Sequence, residues 1–199
     1  MSKLKIETLH GKELTPHFES LSDIRLQVFK EWPYLYEGSK EYERKYLDVY
    51  FNCERSLCLL IKDQTDKIVG ISTAIPLTEE HDDLKNPLVR EGYDVDRLFY
   101  FAETCLLPSA RGKGIYRKIF ELRESHAKSY GDDYTRVCFC GVHRSDSHPL
   151  RPEDFQPLDP IWQNYGFQKV PGLNMNFTWK DVDQKKETAK SLAVWMKNI

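Results

Sequence analysis

Apolar residues recur along the chain with two different periods, and the periods alternate. Residues 4–10, "LKIETLH", switch between apolar and polar and predict a strand. Residues 15–30 carry Phe18, Leu21, Ile24, Leu26, Val28 and Phe29 on a loose helical face. "EWPYLYEGS" (31–39) interrupts the pattern with Pro33 and Gly38, and a second short helix follows over 40–51, with Tyr42, Tyr46, Leu47 and Tyr50. "SLCLLIK" (56–62) and "KIVGISTAIPL" (67–77) read as strands joined by the polar hairpin loop "DQTD". Residues 78–97 are polar and read as loop or helical turn, and 97–107, "RLFYFAETCLL", as a third long strand. A helix is expected over 112–130, closed by Gly131, then a strand at 135–142 and a short helix over 157–167 ending at Gly166. "QKV" and "NMNFTWK" read as closing strands around the turn "PGLN". The tail, 183–197, reads as a terminal helix with Leu192, Trp195 and Met196 on one face. Strands and helices thus alternate without repeats or a linker, which predicts one α/β domain over residues 1–199.

Composition narrows the class. The chain is 40% hydrophobic and 30% charged, with a formal net charge of -2 and no long block of one sign. This argues against a nucleic-acid partner, which calls for a basic domain or stripe. No apolar run approaches the ~20 residues of a membrane span, and "MSKLKIETLHGKEL" lacks the apolar core of a signal peptide. A cytoplasmic protein with no membrane partner is expected. The five cysteines, an odd number without a CxxC pair, read as reduced buried thiols. His143 and His148 in "HRSDSH" lack a third ligand, so no metal is expected.

The informative segment is "FAETCLLPSARGKGIYRKIFELRESHAKSYG", residues 101–131. After Gly112, Ile115, Ile119, Leu122 and His126 fall at spacings of four, three and four, one face of a helix. Its first turn offers unpaired N–H groups and a positive dipole end. Gly112 and Gly114 leave that backbone open to approach, and Arg111, Lys113 and Arg117 add charge. The arrangement reads as a site for a phosphate or pyrophosphate. It is neither a Walker loop nor a dinucleotide fingerprint.

Arg111-Gly112-Lys113-Gly114-Ile115-Tyr116, preceded by "CLLP", closely resembles the coenzyme A motif [Q/R]-x-x-G-x-[G/A] of the GNAT superfamily of N-acetyltransferases. Tyr116 departs from the usual small last residue. The resemblance extends to element order over most of the chain and to "IWQNYGF", similar to the family's late helix. It implies a central mixed, splayed β-sheet flanked by helices, with acetyl-CoA as cosubstrate and a small-molecule primary amine as acceptor. Cys105, Leu106 and Leu107 would pair with the pantetheine arm, and Arg111, Gly112, Lys113, Gly114, Ile115, Tyr116 and Arg117 would hold the pyrophosphate. The thioester would sit where the strand at 134–142 splays from that at 98–107. Homodimers are common in the family, so a homodimer is compatible with this reading.

Glu103, the one charge inside "FYFAETCLL", is the candidate to accept the amine's proton, its pKa raised by burial unless it is paired. His143 is the second candidate. The family often carries a Tyr, as acid for the leaving thiolate, where this chain has Trp162. Tyr165 is displaced from that position, so no general acid is carried over. Tyr34 and Tyr36, with Glu31, offer an aromatic, acidic wall for an amine. Arg144 and Arg151 in the long 143–157 loop are candidates to hold a carboxylate. Two other readings stay open: a non-catalytic acyl-CoA sensor, and an acetyltransferase for protein N-termini or lysines.

Overall fold

The computed structural model describes residues 4–199. Strands β1 (Lys5–Leu9), β2 (Leu57–Lys62) and β3 (Ile68–Pro76) pair antiparallel in that order. Helices α1 (Phe18–Phe29) and α2 (Lys40–Asn52) lie between β1 and β2 in sequence. Then follow α3 (Asp82–Arg90), β4 (Leu98–Tyr100), β5 (Thr104–Leu106), α4 (Ile115–Lys128) and β6 (Arg136–Val142). α5 (Asp159–Asn164), β7 (Gln168–Trp179) and β8 (Thr188–Asn198) complete the chain. The eight-stranded sheet runs β1-β2-β3-β4-β6-β8-β7, with β5 paired to β3 alone. Only β4 and β6 are parallel among the described pairs.

Helices on both faces explain why the central strands are continuous apolar runs rather than alternating ones. In β2, Cys58 and Leu60 face one core and Leu57, Leu59 and Ile61 the other. In β6, Cys138 and Cys140 oppose Val137 and Phe139 in the same way. The first core is closed by α1, α2 and α3, the second by α4 and an aromatic cluster of Phe99, Phe101, Phe120, Phe139, Phe167 and Trp195. All five cysteines are buried and free.

The structure corrects the sequence expectations at four places. The tail is a strand, not a helix. Leu192, Val194 and Met196 face the first core and Trp195 the second, a period of two. Leu192, Trp195 and Met196 also satisfy helical spacing, and pairing with β6 and β7 decides between the two. The 78–97 segment contains α3, whose Leu84 and Leu88 are buried one turn apart. "PGLN" is no hairpin turn. β7 runs through it, and because Lys169 faces Trp195 while Asn174 faces Ala193, residues 170–173 stand out of register. The strand expected over 97–107 is broken in two. Ile75 faces Tyr100 and Ser72 faces Thr104, so this side carries one extra residue, a bulge at Phe101–Glu103.

Candidate active site

The bulge opens the sheet. β4 bonds to both β3 and β6, and the Phe101 N–H still reaches the Cys138 carbonyl at 2.8 Å. Beyond it, β5 keeps only its β3 partner and β6, past Cys138, only its β8 partner, leaving a gap between β5 and β6. In an antiparallel ladder alternate residues bond to the same neighbour. The Thr73 N–H donates to the Glu103 carbonyl and the Leu107 N–H to Val69, so 103, 105 and 107 face β3. Thr104 and Leu106 therefore turn their main chain to the gap, and Cys105 and Leu107 turn theirs away from it. The Leu106 carbonyl accepts from Arg111 Nε at 2.8 Å.

A cleft of about 290 Å³ occupies the gap, walled by Phe101, Glu103, Thr104, Tyr116, Cys140 and Trp162, among others. A second cavity, about 150 Å³, opens toward the first core between Arg25, Tyr36, Tyr46, Glu80, Tyr100 and Trp179. The two share Phe29, Tyr34, Ala102, Glu103 and Cys140, so they meet at the bulge.

The loop before α4 carries the expected anion-binding geometry. Gly112 and Gly114 adopt φ of 69° and 73°, the left-handed region that glycine enters without strain. A side chain at either position would meet nothing within 4 Å, so the space above the loop is open. Gly114 caps α4 and no side chain fills the cap. The first turn thus has no side-chain cap among the described residues, and Lys113 and Arg117 are exposed around it. Ile115 and Tyr116 are half-buried beneath. Arg111 points back, pairing with Glu31 at 2.8 Å and the Leu106 carbonyl. It fastens the loop to β5 and to the segment after α1.

Glu103 is buried but not alone. Arg25 Nη1 lies 2.6 Å from its Oε1, and the Tyr46 hydroxyl donates to its Oε2 at 2.8 Å. The same guanidinium reaches Glu43 at 2.5 Å and lies over the Tyr46 ring. One cation serves two carboxylates, so this pair of ion pairs carries a surplus negative charge at the junction of the cavities. Glu103 is therefore a partnered carboxylate, not a lone buried one.

Tyr34 lines both cavities and Tyr36 the smaller one. Burial pushes both phenols up, so they stay protonated. Arg144 holds no open carboxylate site. It donates twice to Asp181, at 2.6 and 2.9 Å, and to the Pro33 and Tyr34 carbonyls. Burial works against the Asp181 charge, but Arg144 and Lys190 outweigh it and hold the carboxyl below its ordinary range. This pairing pins the long loop to the 32–36 segment and shapes the cleft wall. Arg151 lies 3.5 Å from Asp146. His143 is exposed and lines the larger cleft but not the smaller cavity, with Nε2 engaged by Lys169 Nζ at 2.8 Å. Among the described residues no group of three or more His, Cys, Asp or Glu is placed to hold a metal ion.

Two features escaped the sequence. Tyr116, the departure from the motif, turns its hydroxyl to accept from Trp162 Nε1 at 3.2 Å, on the cleft wall. Trp162 packs on Phe139 and Trp195 and sits so close to β6 that a Cβ at Gly141 would lie 2.9 Å from its ring. The buried stripe of α4 is Ile119, Phe120, Arg123 and Ala127, so Leu122 and His126 flank it. Arg123 is 3% exposed, lies over the Phe101 and Phe120 rings, and its Nε has no hydrogen-bond partner.

Known structures share this architecture throughout. Arabidopsis thaliana NAA60 in complex with acetyl-CoA superimposes with a TM-score of 0.62 at 14% identity, covering 99% of each chain. The fold is that of the GNAT N-acetyltransferases. An IAA acetyltransferase from Bacillus cereus matches at TM-score 0.56 and 14% identity, over 99% of this chain and 100% of that one. A GCN5-related N-acetyltransferase from Kribbella flavida matches at 0.58 and 13%, over 98% of each. No family model and no curated protein matches the chain.

Proposed function

We propose that the chain is an acetyl-CoA-dependent N-acetyltransferase whose acceptor is the primary amine of a small molecule. The observation that carries this is the gap between β5 and β6, open to the glycine-started helix at one end and to a second cavity at Glu103. The GNAT fold, and the acetyl-CoA complex of NAA60, support the donor. The residues present fit acetyl-CoA. The open space over Gly112 and Gly114 and the uncapped first turn of α4 suit a pyrophosphate, and the free main chain of Thr104 suits the amide-bearing arm.

Bound acetyl-CoA supplies an activated acetyl carbonyl. The chain's residues orient it, exclude water and handle the amine's proton. The acceptor enters the 150 Å³ cavity, whose aromatic lining and surplus carboxylate charge favour an ammonium. That volume suits a compact amine. Glu103, positioned by its contacts with Arg25 and Tyr46, takes the proton that turns the ammonium into a nucleophile. The leaving thiolate has an ordinary pKa of about 8.5, so it is only a moderately basic leaving group near neutral pH and departs without a dedicated acid. The test is release of free coenzyme A on incubation with acetyl-CoA and a panel of small amines, a lysine peptide and a free N-terminal peptide. Turnover confined to the peptides would replace the small-molecule acceptor with a protein one.

A further inference from the structure

The polar chain at Glu103 extends further than this reaction uses. Tyr46 Oη lies 2.8 Å from Glu103 Oε2, the Tyr46 and Tyr50 hydroxyls lie 3.0 Å apart, and Tyr50 Oη lies 2.6 Å from Glu80 Oε1. Tyr46 and Tyr50 are neighbours one turn apart on α2, so the helix fixes their spacing. Tyr50, Glu80 and Glu103 are 0%, 5% and 7% exposed.

Three oxygen–oxygen contacts of hydrogen-bond length need three hydrogens. The two phenols supply one each, and ionised carboxylates supply none. With two hydrogens, one contact would bring bare lone pairs together in a dry interior, a costly arrangement. The third hydrogen therefore belongs to a carboxyl. Glu103 is ruled out by Arg25, 2.6 Å away. Among the described residues no ion pair reaches Glu80.

We propose that Glu80 is a carboxylic acid at neutral pH and that Glu80, Tyr50, Tyr46 and Glu103 form one proton-carrying chain, with Glu80 as its outer end. The proposal rests on the acetyl-transfer reading for its use, but not for its existence. Burial pushes the Glu80 carboxyl up, opposed by the Tyr50 hydrogen bond and reinforced by the Glu103 charge. The groups that face it are Tyr42, Tyr46 and Tyr50 from α2, Tyr100 from β4, Cys138 and Cys140 from β6, Glu103, and His81 beside it in sequence. Arg25 lines the same cavity but is already shared between Glu43 and Glu103.

In use, Glu103 takes a proton from the substrate ammonium: an N–H bond breaks and an O–H bond forms. Glu80 gives up its own proton into the cavity it lines with His81. The phenolic hydrogens turn outward, and the proton on Glu103 passes through Tyr46 and Tyr50 to restore Glu80. The net change is one proton from the amine to solvent, with Glu103 returned to its carboxylate. Glu80 and Tyr50 do not touch the reacting atoms; they are positioning residues for the proton on Glu103.

The test is the infrared difference spectrum of the full chain at neutral pH, wild type minus Glu80→Gln, read at the protonated-carboxyl C=O stretch. The expected result is a band present in wild type and missing from the variant. Tyr50→Phe, which cuts the chain while keeping the ring, should shift that band. Absence of the band from wild type, its persistence in Glu80→Gln, or an unmoved band in Tyr50→Phe would each overturn the proposal. The spectrum needs no substrate, so it stands even if no amine is acetylated. With an active amine, both variants should lower kcat by about tenfold or more and change its pH profile, with acetyl-CoA affinity kept within about twofold. An unaltered pH profile would remove the chain from catalysis.

Discussion

Replacing Arg123 by Met should stabilise the protein. Arg123 is buried on α4 with its Nε unpartnered among the described residues, and burial pulls its pKa down to about 10, well below the ordinary guanidinium range. At 1.36 kcal/mol per unit, that gap is a cost of roughly 3 kcal/mol. The sign follows from linkage. The group is charged in the unfolded chain throughout the ordinary pH range and in the fold below about 10, so at pH 7 the whole cost is present. The guanidinium recovers part of it by lying 4.5 Å from the Phe101 ring centre and 4.8 Å from that of Phe120. Such contacts return about 0.5–2 kcal/mol in a desolvated site. Met fills a similar volume and keeps the contact with both rings. The balance is a gain of about 1–2 kcal/mol, or about 2–8 °C in Tm for a chain of this size. The assay is thermal unfolding at pH 7 followed by circular dichroism, with urea unfolding as a second measure. A Met variant that melts at or below the wild-type temperature would refute the reasoning and mean that the guanidinium is fully bonded through the cleft.

Glu103→Gln removes the proton acceptor and leaves Arg25 with one carboxylate; kcat/KM should fall by roughly 10²-fold or more with acetyl-CoA affinity nearly constant, and full turnover in a folded Gln variant contradicts the role. Tyr165 stacks on Phe120 at 4.6 Å, so Tyr165→Phe should change kcat less than tenfold, and a thousandfold loss would place its hydroxyl at the thiol. His126 stacks on His10 at 5.0 Å, and burial holds it below its ordinary 6.5. The fold therefore binds fewer protons than the unfolded chain below about pH 6.5, and stability should fall as pH drops through that value. His126→Gln should flatten this acid limb in Tm measured against pH, and an unchanged slope speaks against it.

The central strands, the β2–β3 hairpin and the glycine-started α4 were legible because burial on both faces, a polar turn and an uncapped helix start each leave a direct residue pattern. The strand at 188–198 was not, since Leu192, Trp195 and Met196 satisfy both periods and only pairing with β6 separates them. The break at Phe101–Glu103 was hidden for a different reason: a bulge of one residue leaves an apolar run looking continuous. Glu103 stood out as a charge among apolar residues, but its partners Arg25 and Tyr46 come from helices 57 and more positions away, and no local pattern joins them. Arg123 does not show in the apolar pattern of α4 because it is a cation, although it occupies the buried stripe with Ile119 and Ala127.

The loop that opens α4 is where acetyl-CoA binding is tested most directly. Titration calorimetry of acetyl-CoA against the wild-type chain and Gly114→Asp measures it. A side chain at Gly114 meets no protein atom within 4 Å, although its φ of 73° disfavours one, so the variant is first checked for wild-type secondary structure. The prediction is one-to-one binding to wild type and a strong loss of affinity in Gly114→Asp, because a carboxylate would stand where the pyrophosphate belongs. Equal affinity in the folded variant, or no binding to wild type, would contradict the account.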